Sequence, residues 1–561
     1  MIVDDVNQAK KALGDAGFSA QLEILSLLHH THPAAAQLLG DAVTRDGLSD
    51  HSAYAPRLVS RDLSWRARQR GRWMPRVRLW RKRDRAESFP CVAVRTYSRA
   101  SFWVLATRSG GWYPQECALR RKGKVMRHPL AMFLLVVSVL AAAFAALPPS
   151  DAPTGFDNKS NGVVDDPTHQ ADQAKFEETE TLSDGLGPLF NAQSCRECHQ
   201  SPVTGGISQV MELRVGHRGP DGKFQNPAIP IGHGSEIIKG RSLVNLRVIC
   251  PNAAFPTTEI QERVPESESI RTFRTSLSIL GDGFVEAVDD STLIDISKNQ
   301  CKQDHGRICG LILYVPIVES PGQTRVGRFG WKNQQASLLS FSGDAYLNEM
   351  GITNRLFPDE VTNLCNTVAE PNDRPGADGL ADIDRFARFI RATEAPARDA
   401  QQAATPAARK GEVLFAKIGC NICHVPTLTT AAPGTVINGG KFTIPEALGN
   451  KTLHPYSDFL LHDIGTGDGI VMAMEEHYGK RMYQIQWKNL SLETYHSTAN
   501  RMRTAPLWGV RMQPMLMHDG ASLTFRDAIL RHRGEASHVT KRFERLSDAD
   551  QEAIVEFLKS L

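Results

Sequence analysis

Two stretches of this 561-residue chain place cysteines three positions apart with a histidine directly behind them. They are "SCRECHQSP" at 194–202 and "GCNICHVP" at 419–426. Three chemistries use such a pair: a tetrahedral zinc site, a redox dithiol and a covalently attached haem. Zinc wants four ligands, usually two cysteine pairs or one pair plus two histidines. Each motif here offers one pair, and a histidine that close in sequence does not readily complete the same tetrahedron. A redox dithiol belongs at a strand–helix junction in a βαβ unit, and no such alternation surrounds either motif. Haem attachment uses every residue. Cys195 and Cys198, and likewise Cys420 and Cys423, would add to porphyrin vinyl groups, and His199 and His424 would be the proximal iron ligands. The expectation is two covalently bound haem c groups.

The elements that must position these residues repeat as well. "GLGPLFNAQSCRECH" (185–199) parallels "GEVLFAKIGCNICH" (411–424), and both read as an apolar helical approach to the first cysteine. Each copy is followed by an amphipathic helix pattern. Over 380–393 the pattern puts Ile383, Phe386, Phe389 and Ile390 on one face. Over 546–561, Ser547 is the expected N-cap and Ile554, Phe557, Leu558 and Leu561 share a face. The Ala-, Pro- and Gln-rich stretch 392–409 reads as a linker. The expected fold is mainly α: two cytochrome c-like haem domains with loop-rich insertions and few short strands. The N-terminal haem domain would span 155–395 and the C-terminal one 405–561.

Composition is that of a globular protein, 41% hydrophobic and 23% charged, and the net charge of +3 gives no reason to expect a nucleic-acid partner. Residues 1–125 differ from the rest. The Arg- and Trp-dense run 57–85 has no clear period and reads as a poorly ordered or mis-called N-terminal extension. Just beyond it, a basic region (Arg120, Arg121, Lys122, Lys124, Arg127) leads into an apolar run from Leu130 to Leu140 and Ala143-Phe144-Ala145, the layout of a secretory signal peptide over 126–146 beginning at Met126. The rival reading is a membrane anchor through 130–147. Either way the rest of the chain is expected in the periplasm. There the cysteines outside the motifs, Cys250, Cys301, Cys309 and Cys365, would form two disulfides of undetermined pairing.

The segments around the motifs resemble the bacterial di-haem oxidoreductase family, which is related to di-haem cytochrome c peroxidases and to MauG-type maturation enzymes. The resemblance lies in "SNGVVDD" (160–166), "GLGPLFNAQSCRECHQSPVTGG" (185–206), "LGDGFVEAV" (280–288), "GRFGWKNQQASL" (327–338), "MGITN" (350–354), "SDFLLHDIGTG" (457–467) and "RTAPLWGVRMQPMLMHDGASLTFRDAILRHRGEA" (503–536). It covers roughly 155–561. "CKQDHGRICG" (301–310) departs from the family's usual Ala- or Gly-rich turns. The resemblance implies one haem per domain and a two-electron reduction of hydrogen peroxide. Electrons would come from a small redox protein, a cytochrome c or a cupredoxin. Two alternatives stand beside it: a di-haem electron-transfer cytochrome without catalysis, and a MauG-like enzyme that oxidises a partner protein. The extra length between the motifs favours a built pocket over a simple carrier.

Candidate residues for those tasks carry competing structural readings. Glu286 is the expected acid–base group, if burial raises its pKa; otherwise it is a salt-bridged glutamate. Trp331 would relay electrons between haems, or be a packed core tryptophan. Sixth-ligand candidates for the C-terminal haem are Met517, His518 and His532, with Met512 and Met515 nearby; methionine is more often core filler. His462 and His518 each precede an aspartate, Asp463 and Asp519, that could orient the ring or merely form a turn. His217 and His233 are distal candidates for the N-terminal haem. Asp157, Asn161 and Asp165 offer oxygen ligands for a calcium ion, without a recognised loop spacing.

Overall fold

The computed structural model describes residues 149–561, apart from 251–255, 366–367, 473–474, 479–480 and 485–490; before residue 149 it describes only the backbone of five short strands between Arg76 and Trp112. The chain divides into two units, Met1–Leu147 and Pro148–Leu561. In the first, Arg76–Trp80, Cys91–Arg95 and Val104–Leu105 form an antiparallel sheet, so part of the run read as lacking a period is strand. The signal peptide or anchor expected over 126–147 lies outside the described residues. Among the described residues, no helix is long and apolar enough to cross a membrane.

In the second unit the main helices are α1 (Asp166–Glu177), α2 (Asp282–Ala287), α3 (Asp290–Gln303), α4 (Leu338–Met350), α5 (Asp382–Ala392), α6 (Pro406–Ile418), α7 (Phe525–Arg531), α8 (Ser537–Glu544) and α9 (Asp548–Leu558). Between them run many strands of two to eight residues, gathered into small sheets. The longest, Met211–Arg218, pairs antiparallel with Ile270–Thr275 and with Leu243–Val244. The fold is therefore not mainly α, and this corrects the sequence expectation. The physical reason is length: a two-residue strand carries no alternation for a period to reveal.

Two helix pairs organise the unit. α1 packs on α5, with the Phe176 ring 4.8 Å from Phe389 and 5.9 Å from Phe386. α6 packs on α9, with Phe415 5.2 Å from Phe557. Ser547 caps α9 by accepting from the Asp550 N–H, and all four residues of each expected apolar face are buried. α6 begins inside the stretch read as a linker, because Thr405 caps the Ala408 N–H and Pro406 presets the first turn. The first approach differs from the second. α1 ends at Glu177, and the run 185–194 is not helical, since Gly185 and Gly187 adopt φ of 99° and 80° ahead of Pro188. The cores also exchange elements. Leu428, Leu448 and Leu453 join Phe176 and Phe389, whereas Ile308 joins Phe415, Phe543 and Phe557.

The α6–α9 crossing is close because position 411 has no side chain. A Cβ there would lie 1.8 Å from the Ala553 carbonyl oxygen. Gly411→Ala is expected to force two backbones apart and cost about 3 kcal/mol. Chemical denaturation of the purified protein checks this, and a loss below about 1 kcal/mol would contradict the packing.

Candidate haem sites

The C-terminal motif is set by the end of α6. Gly419, at φ 103°, turns the chain so that Cys420–Ile422 forms a single tight turn and brings His424 beneath the helix. His424 Nδ1–H donates to the Tyr456 carbonyl at 3.0 Å, which leaves Nε2 as the lone-pair nitrogen. Phe415 lies 6.0 Å from the ring. Burial holds the imidazole pKa down at about 4, so the ring is neutral and able to ligate.

The N-terminal motif repeats these relations. Cys195–Cys198 is one helical turn, His199 Nδ1 faces the Gly206 carbonyl at 3.3 Å, and Phe176 of α1 lies 6.3 Å from the ring. Burial lowers the His199 pKa too.

All four motif cysteines are free, while Cys250 pairs with Cys365 and Cys301 with Cys309. Burial pushes the Cys198 and Cys420 thiols up to about 12, and those of Cys195 and Cys423 upward as well. A zinc ligand or a redox nucleophile needs the thiolate; these surroundings disfavour it. Cys423, Asp458 and His462 do converge. The His462 ring is already spent there, however, with Nε2 2.9 Å from Asp458 and Nδ1 2.9 Å from Glu535. Its orienting carboxylates are thus these two, not the adjacent Asp463. Asp519 likewise serves Arg531, at 2.5 Å, instead of His518.

Cys420, Cys423 and His424 open into a cavity holding about 1690 Å³ of empty space, its open mouth included. Its walls include Phe415, Phe543 and Leu558, together with Trp331, Met517, His518 and His532. Arg503 and Trp508 line it too. Their buried Nε and Nε1 atoms have no hydrogen-bond partner among the described residues. A buried donor without a partner calls for an acceptor, and a haem carries two carboxylates. Apolar walls, paired thiols, a free Nε2 and unmet donors together fit a haem.

Trp331 donates from Nε1 to the Thr275 carbonyl at 2.7 Å and meets His518 edge-on at 6.0 Å. The segment after Thr275 joins the two motifs. Ser276–Ser278 lines the C-terminal cavity, and the Ile279 N–H donates to the Gly205 carbonyl, one residue from the carbonyl facing His199.

Other expected roles meet different geometry. Glu286 is fully buried on α2, 2.6 Å from the Arg391 guanidinium, and accepts from the Leu338 N–H and from Asn438. Burial alone would raise its pKa, but these partners outweigh burial and hold it below the ordinary value. It is not a raised-pKa acid, and it is not part of the cavity wall. His217 pairs with Glu268 at 2.8 Å, and the exposed His233 with Glu259 at 2.8 Å. The calcium candidates do not converge either. Asp157 pairs with Lys159, the Asn161 amide donates to the Arg391 and Thr393 carbonyls, and Asp165 caps α1.

The sequence reading missed Glu349. It lies in the last turn of α4, accepts from Asn191 at 3.0 Å, and is pushed up to about 8 by burial and by Glu212. Both carboxyls act on the Cys198 thiol. No motif marks either residue.

Two half-buried cysteine–histidine turns, each beside a helix pair, have the makings of haem sites. A family model described as "Di-haem oxidoreductase, putative peroxidase" matches residues 251–561, and the chain belongs to that family. Haem is therefore its cofactor. No curated protein matches it. Among solved structures, hydrazine synthase of Kuenenia stuttgartiensis is similar at 14% identity and a TM-score of 0.30, over 80% of this chain and 100% of that one.

Proposed function

We propose that this protein is an exported di-haem c-type oxidoreductase that reduces hydrogen peroxide to two waters. Two protons and two electrons are consumed, the electrons coming singly from a small redox protein such as a cytochrome c or a cupredoxin. The observation that carries the reading is the C-terminal cavity, where two protonated thiols and a neutral histidine meet apolar walls and unmatched donors. Each haem, when bound, supplies one-electron iron chemistry, and two of them match the two electrons that peroxide takes.

The chain's own residues do the rest. Cys195 and Cys198 hold one group, and Cys420 and Cys423 the other. The Tyr456 carbonyl leaves Nε2 of His424 as the lone-pair nitrogen, and the Gly206 carbonyl faces Nδ1 of His199. Apolar walls exclude water. Glu349, whose pKa burial and the neighbouring Glu212 push upward, is placed to hold a proton next to the N-terminal motif and replaces Glu286 as the acid–base candidate.

The test is oxidation of a reduced small cytochrome c by the purified protein, with and without hydrogen peroxide. Peroxide-dependent oxidation is expected. Its absence, with every haem low-spin in each redox state, would favour a plain electron carrier. Glu349→Gln is expected to lower peroxide turnover by about 10²-fold with the haem spectra unchanged. Wild-type turnover in that variant would remove Glu349 from the mechanism.

A further inference from the structure

We propose that His532 is the second axial ligand of the C-terminal haem, opposite His424, so that this haem is closed and peroxide is left to the N-terminal one. The inference rests on reading the cavity as a haem site and adds which residue fills the sixth position.

Three observations carry it. The rings of His424 and His532 face the same cavity with centres 6.4 Å apart. A metal held by two imidazoles at the usual ~2.0 Å bond length separates ring centres by about 6 Å. Each ring is also fixed in the same tautomer. His424 Nδ1–H donates to the Tyr456 carbonyl at 3.0 Å and His532 Nδ1–H to the Ala528 carbonyl at 2.8 Å. Neither Nε2 has a hydrogen-bond partner among the described residues. A ring whose Nδ1–H is tied to a carbonyl presents a lone pair at Nε2, as ligating histidines do. Finally, the His532 backbone is held in place. It follows the last residue of α7, and its carbonyl accepts from the Thr540 hydroxyl at 2.7 Å.

The rivals are placed differently. His518 packs edge-on against Trp331, and its carbonyl is bound by the Thr275 N–H at 2.8 Å. Met517 lies one residue before it, in a loop at φ 69°. Met512 is exposed. Beside His199, by contrast, the ring packed closest is Phe176, and the two distal candidates are committed to Glu268 and Glu259. The histidine pair is thus a property of the C-terminal site.

The holoprotein tests this through its spectra. In the oxidised form, electron paramagnetic resonance should show one low-spin haem with two imidazole ligands. The near-infrared band of methionine-ligated iron should be missing. His532→Ala should convert that haem, and that one alone, to high spin, and added imidazole should restore the low-spin signal. In the reduced form, carbon monoxide should then bind both haems instead of one. His532→Met guards against a misfolded alanine variant: it should bring in the methionine band. A methionine band in the wild type that vanishes in Met517→Leu or Met515→Leu would overturn the assignment. So would a His532→Ala protein with both haem signals unchanged. Loss of the haem reading itself looks different: no covalently bound haem would be found in the wild type.

Discussion

A protein with Cys420→Ala and Cys423→Ala is expected to carry one covalent haem instead of two and to lose cooperative folding around α6, α8 and α9. Both thiols are half-buried in the cavity wall, which Phe415, Phe543 and Leu558 also form. Without the anchored group that space must stay empty, fill with water or collapse. An apolar cavity costs ~24 cal/mol per Å³, so about 100 Å³ left dry removes about 2.4 kcal/mol. The total stability of a domain is only about 5–15 kcal/mol. In a peptide digest, the segment around Cys420 should be unmodified, and that around Cys195 should keep its haem. Haem absorbance per protein should fall to about half. Unchanged haem content would show that these cysteines do not anchor it.

The second large effect concerns Glu286, and it is one of stability. Glu286→Ala leaves the Arg391 guanidinium in the interior without its carboxylate, along with unmet donors at the Leu338 N–H and Asn438. Removing one partner of a buried pair costs about 3–5 kcal/mol. Denaturant unfolding should register a loss of that size. Because the pair holds the folded-state pKa of Glu286 below its ordinary value, its contribution is present above the usual glutamate pKa of about 4.3. It fades as pH falls through the lower folded value. Wild-type and variant stabilities should therefore converge in acid. A Glu286→Ala protein of full stability but without peroxide turnover would return this residue to the chemistry.

The sequence shows some of this architecture and hides the rest for physical reasons. The helices over 382–392 and 548–558 are legible because apolar residues recur at helical spacing on a long enough element. The motif chemistry is legible because the two cysteines and the histidine that perform it fall within five consecutive positions. The small sheets are not, being too short to show alternation. Nor is the fate of Glu286, whose partner Arg391 lies 105 residues away on another helix. Its carboxylate looks the same in sequence whether it is an acid or half of an ion pair. The pairing of Cys250 with Cys365 also depends on tertiary proximity, as does the cluster of Glu349 with Glu212. His462 shows the same limit: its neighbour Asp463 suggests one partner, and the fold supplies Asp458 and Glu535.

The central claim is that both cysteine–histidine motifs carry covalent haem. Denaturing mass spectrometry of the natively produced protein, followed by peptide mapping, tests it most directly. The expected result is two haem additions per chain, one on the peptide holding Cys195 and Cys198 and one on that holding Cys420 and Cys423. Free thiols at either pair, or zinc in place of iron, would contradict the account.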